Sequence, residues 1–105
     1  MALSKGQKAQ LKTCAGWADA DDVILHVIIG RYIPYTREFG KGFPIVVKMR
    51  YTSEPEMYDL SASLSRCQYR YTAFDKAKEI ARFLVEDCDV PREKVFVKSK
   101  IGRER

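Results

Sequence analysis

The one histidine, His26, lies inside the apolar run Val23 to Ile29. A histidine placed there reads first as a core or interface residue, and only second as a base or a ligand. Asp19, Asp21 and Asp22 could pass for paired carboxylates, but they lack the spacing of a calcium loop and read as a solvated turn. Cys14, Cys67 and Cys88 are widely spaced and odd in number. They fit no zinc pattern with His26 and read as reduced thiols, two of them in the core. Gly40-Lys41-Gly42 is too short to cradle a phosphate and is followed by no Ser or Thr for magnesium, so it reads as a hairpin loop. No serine occupies a nucleophile-elbow pattern. The sequence therefore advertises no enzyme, metal or cofactor. An active site would have to form around His26 or the Asp19 to Asp22 turn.

What does recur is a cation beside a ring: Arg31-Tyr32, Tyr35-Thr36-Arg37, Arg50-Tyr51 and Arg66-Cys67-Gln68-Tyr69-Arg70-Tyr71. Phosphates seek Lys and Arg, and unstacked bases lie on aromatic faces. Tyr and Arg are also the residues enriched at protein interface hot spots. The bland alternative is that tyrosine and arginine are ordinary half-buried strand residues.

Charge points the same way. The chain carries 19 Lys and Arg against 14 Asp and Glu, a net +5, and the excess sits at the two ends. Lys5, Lys8 and Lys12 stand near the beginning; Lys94, Lys98, Lys100, Arg103 and Arg105, opposed only by Glu104, stand near the end. Such a balance favours polyanions without bearing on the fold. With 46% hydrophobic residues the 105-residue chain is too apolar for a disordered protein and has the usual size of one domain, residues 1–105. The longest apolar run is too short to span a membrane, and the lysines near the beginning precede no apolar signal segment. A cytoplasmic setting is expected, the host cytoplasm for a viral accessory protein.

These residues need elements to hold them. Leu3 to Ala18 reads as a helix capped by Ser4. Val23 to Tyr32 is rich in β-branched residues without alternation, which predicts a central strand buried on both faces. Gly30 suggests a bulge, and Pro34 an edge position. Arg37 to Gly42 reads as a loop joining that strand to a half-buried antiparallel strand over Ile45 to Tyr51. Met57 to Tyr71 alternates with one phase change, predicting a strand bulged near Ser65; a short helix over 56–65 is the rival. Thr72 and Asp75 resemble a capping box for a helix carrying Phe74, Ala77, Ile80, Ala81, Leu84 and Cys88. Val95 to Val97 closes the fold as a short strand.

The expected architecture is α+β: an N-terminal helix, a three-stranded antiparallel meander, one main packed helix and a short C-terminal strand. Helix, three strands, helix is also the order of the double-stranded-RNA-binding domain. However, Asp75 stands where that module carries a cation, its Gly-Pro-x-His loop is missing, and a further strand follows. No residues are carried over from it. The function expected is a non-enzymatic module that engages RNA or DNA through Lys48, Arg50, Arg66, Tyr69, Arg70, Tyr71, Lys98, Lys100 and Arg103. The alternative is a small protein-interaction factor docking on a protein with an acidic surface, such as a viral or phage-type inhibitor or a minor subunit of a large assembly.

Overall fold

The computed structural model describes residues 3–36, 40–60 and 65–100. Helix α1 runs from Lys5 to Trp17. Ser4 caps it as the sequence suggests: its Oγ accepts from the Gln7 N–H at 3.1 Å, while the Gln7 side chain accepts from the Ser4 N–H at 2.9 Å. This reciprocal arrangement satisfies two of the donors that every helix start leaves open.

Strands β1 (Val23–Ile29), β2 (Ile33–Thr36) and β3 (Gly40–Tyr51) form a long antiparallel arm. β3 is flanked on one side by β1 and β2, and on the other by β4 (Met57–Asp59) and β5 (Ser65–Cys67). Helix α2 (Arg70–Glu86) and a 3-10 turn (Arg92–Lys94) then lead to β6 (Val95–Ser99), which lies parallel to β1. The α+β class stands. So does the antiparallel meander, in which β1 pairs with β3 and β3 with β4 and β5; what it lacked is β2 and the parallel addition of β6 to β1, which makes the sheet mixed.

Four local expectations are corrected. The first strand stops at Ile29, and residues 33–36 start a separate strand containing Pro34, at the edge of the sheet. Gly40-Lys41-Gly42 is the beginning of β3 rather than a loop; Arg37 to Phe39 lie outside the described residues. The stretch from Met57 divides into β4 and β5, whose pairing with β3 changes register between them, and 61–64 lie outside the described residues. Last, α2 begins at Arg70, not Thr72, with Tyr69 as an extended N-cap residue that makes no side-chain cap. Thr72 and Asp75 are therefore inside the helix. The helix opens with the bond from the Ala73 N–H to the Tyr69 carbonyl at 3.0 Å, and its buried stripe of Ala73, Ala77, Ile80 and Leu84 follows from there.

The core lies between one sheet face and the helices. Val23, Leu25, Val27 and Ile29 of β1 and Ile45, Val47 and Met49 of β3 meet Leu11, Cys14 and Ala15 of α1 and the α2 stripe. Because strand side chains alternate, the even-numbered residues of β1 and β3 point the other way. Among the described residues no helix covers that second face. Ile28 is nevertheless buried there, outside the main cluster, so β1 is apolar on both sides as its sequence implies.

Candidate nucleic-acid interface

Cross-strand register sets out the residues of the open face. Phe96 of β6 lies opposite His26 of β1, His26 opposite Lys48 of β3, and Lys48 opposite Asp59 of β4. On one side of this row Lys98, Ile28 and Val46 stand in line; on the other are Ile24, Arg50 and Met57. Arg66 of β5 sits opposite Pro44, further along β3. Four of the expected cations, Lys48, Arg50, Arg66 and Lys98, thus share one surface with an aromatic ring at its edge.

Their contacts differ. Lys98 is exposed, whereas Lys48 Nζ lies 3.4 Å from Asp59 Oδ1 in a surface ion pair. Arg50 is held in place: Nη1 donates to the carbonyls of Tyr51 at 3.2 Å and Glu54 at 3.0 Å, and Nε donates to His26 Nε2 at 3.4 Å. Since Nε2 accepts, neutral His26 carries its proton on Nδ1, an atom that is buried with no hydrogen-bond partner. Burial, followed by the nearby charges of Arg50 and Lys98, holds the His26 pKa below its ordinary value. The His26 ring stacks on Phe96 with centroids 5.8 Å apart and planes at 27°. Phe96 is 47% exposed, leaving one side of the ring open.

The remaining expected site residues are placed elsewhere. Tyr69, Arg70 and Tyr71 were expected on a strand with Arg66, but they form the cap and first turn of α2. The two tyrosine rings stack there, 5.7 Å apart and at 16°, and both are exposed. Because the backbone turns helical at Arg70, Arg66 and Arg70 do not share a strand face. Lys100 is exposed beyond β6; its N–H donates to the Ile29 carbonyl at 2.8 Å, and its own carbonyl accepts from Arg31 Nε at 3.2 Å. Arg103 lies outside the described residues. Lys94, one of the cations in the basic C-terminal segment, is turned inward onto the end of α1.

Sequence reasoning missed Phe96 as a surface group and His26 as its neighbour. The signal was present in the alternation of Val95, Phe96, Val97 and Lys98, which puts the ring and Lys98 on one side. Among the described residues no group of three His, Cys, Asp or Glu side chains could hold a metal ion. Asp19, Asp21 and Asp22 are exposed in a turn. No described helix is long and apolar enough to cross a membrane. No protein-family model, curated protein or solved structure matches the chain.

Proposed function

We propose that the chain is a binding module that lays single-stranded nucleic acid across the open sheet face. The observation that carries this reading is the half-exposed Phe96 ring, seated on His26 and sharing its face with Lys98, Arg50, Lys48 and Arg66. A flat ring offers a base a stacking partner that any sequence can use, and the cations attract the phosphates. Arg50 is already fixed by two backbone carbonyls, so little side-chain freedom is lost when it meets a phosphate.

The test is fluorescence anisotropy with a labelled single-stranded oligonucleotide, titrated from low to physiological salt. Binding should weaken with salt along a log–log slope of several units. Phe96→Ala should weaken it by roughly 5- to 100-fold, the equivalent of one lost base stack. Lys98→Ala should lower the slope by about one. Absence of binding at low salt overturns the reading.

A protein partner is the second reading, and one observation favours it. Val97, at the edge of the sheet, is 41% exposed, an apolar surface that nucleic acid has no use for. A protein that co-purifies through nuclease and high salt would support this reading.

A further inference from the structure

Helix α2 and strand β6 leave a groove of about 280 Å³ between them. Its floor is aliphatic: Ala81 and Val85, one turn apart on the helix, and Val95 and Val97 on the strand. Ala81 brings only a methyl group to it, and Val97 is 41% exposed. Strand alternation puts Val95 and Val97 on the helix side of β6, with Phe96 and Lys98 on the other. The groove therefore lies behind the open sheet face. Its rim is charged and unbalanced, with Lys78, Arg82 and Arg92 standing against Glu86, all four exposed. Among the described residues none of these three cations is in an ion pair. Lys94, close by in sequence, adds nothing to the rim, because backbone carbonyls at the end of α1 already hold its ammonium.

We infer that this groove docks a segment of a partner protein whose apolar side chains are flanked by Asp and Glu. Floor and rim each select part of that chemistry. No ring lines the groove, so a nucleic-acid base finds nothing there to stack on, whereas aliphatic side chains find a floor of their own kind. Pockets that enclose a free small molecule run to roughly 300–1,000 Å³. A groove of about 280 Å³ falls just under that range and suits a few side chains presented by a longer chain. The rim then fixes the sign of the partner. Arg82 and Arg92 offer planar forks that match a carboxylate in bidentate fashion, and Lys78 adds a third cation beside them. A second copy of this chain would bring the same unbalanced rim against this one, like charge on like. An acidic segment meets the rim with the opposite sign, and the net charge of +5 draws it in from a distance. The division of labour is the usual one: buried apolar contacts supply most of the hold, and the charged rim supplies approach and specificity.

The inference goes beyond the nucleic-acid reading, since groove and open face lie on opposite sides of β6, and it gives the protein-partner reading a surface and a chemistry. A random dodecamer peptide library displayed on phage, selected against the full chain at low salt, should enrich sequences that set apolar residues beside Asp or Glu. A synthetic peptide of the enriched sequence, followed by fluorescence anisotropy, should bind more weakly as salt rises. Replacing both rim arginines, Arg82→Gln with Arg92→Gln, should weaken it about tenfold or more. Val97→Thr keeps the shape and strand preference of valine, so it should stay folded by circular dichroism and weaken the peptide by roughly 3- to 10-fold. Phe96→Ala, on the other face, should leave the peptide's affinity unchanged. A library that enriches no acidic apolar sequence overturns the inference, as does an enriched peptide that binds the double variant and Val97→Thr as well as the parent. So does a labelled single-stranded oligonucleotide that the double variant weakens as strongly as it weakens the peptide, because these cations would then serve phosphates. A peptide that behaves as expected beside an oligonucleotide that never binds would support the groove and sink the proposed function alone.

Discussion

The ammonium of Lys94 donates to the carbonyl oxygen of Ala18 at 2.7 Å, and it reaches the carbonyl of Ala20 at the same distance. One side chain thus ties the 3-10 turn before β6 to the end of α1. It places a positive charge where the helix dipole and its unpaired carbonyls favour one. Lys94→Met should therefore lower unfolding free energy by about 1–3 kcal/mol in urea titration. It should leave the salt slope of oligonucleotide binding unchanged. A normal stability with a reduced slope would mean that Lys94 faces the ligand instead.

Gly42 should be irreplaceable and Gly16 should not. Gly42 has φ +136°, and an added Cβ would lie 2.5 Å from the Cys67 carbonyl oxygen, where β3 passes β5. Gly42→Ala should cost more than about 2 kcal/mol, because strain and a backbone clash act together. Gly16, exposed within α1, has nothing within 4 Å of an added Cβ, so Gly16→Ala should stabilise by about 0.5–1 kcal/mol. Thermal or urea unfolding of the two variants checks both signs.

His26 should make the fold acid-sensitive. Its folded pKa lies below the ordinary 6.5, chiefly through burial and then through Arg50 and Lys98. As pH falls past 6.5 the unfolded chain binds a proton that the folded chain refuses, so stability is full above this value and declines below it. The decline ends once the folded histidine also protonates. Denaturation midpoints measured from neutral to mildly acidic pH should show this fall, and His26→Leu should remove it. An unchanged fall in the variant would assign it to other groups.

The thiols should react in order of burial. None of the three cysteines is in a disulfide. Cys14 is buried in the core and its pKa is pushed up to about 11, mainly by that burial. Cys88 is only half-buried, although burial raises its pKa as well. At mildly alkaline pH a thiol reagent should label Cys88 first and reach Cys14 and Cys67 only in denaturant. Rapid labelling of Cys14 in the native protein would contradict its place on the buried side of α1.

Much of the scaffold was legible because its signals were local. Ser4 opens α1, the β-branched run is β1, and the strand over Ile45–Tyr51 does pair antiparallel with it. What failed depended on contacts far along the chain. Alternation from Cys67 through Tyr71 looks the same whether the backbone stays extended or, as here, turns helical at Arg70 to seat Ala73 and Ala77. Nothing in Val95 to Ser99 says that it will lie parallel to β1. The candidate face was half legible for the same reason. Lys48 and Arg50 follow from alternation within one strand, but Phe96 and His26 meet only through that parallel pairing.

The parallel placement of β6 also bears on how the molecule assembles in time. β1 can zip against β3 through a hairpin formed by neighbouring sequence, but Leu25 finds Val95 only after α2 has been made and folded back across the sheet. Closing that long loop is the entropically expensive step, so β6 should dock last. Until it does, the most apolar strand of the protein keeps one flank bare, and a nascent or refolding chain is most prone to stick to its neighbours in that interval. Pulse-labelled hydrogen exchange should find the β1 amides that face β3 protected before Lys100, whose N–H waits for Ile29.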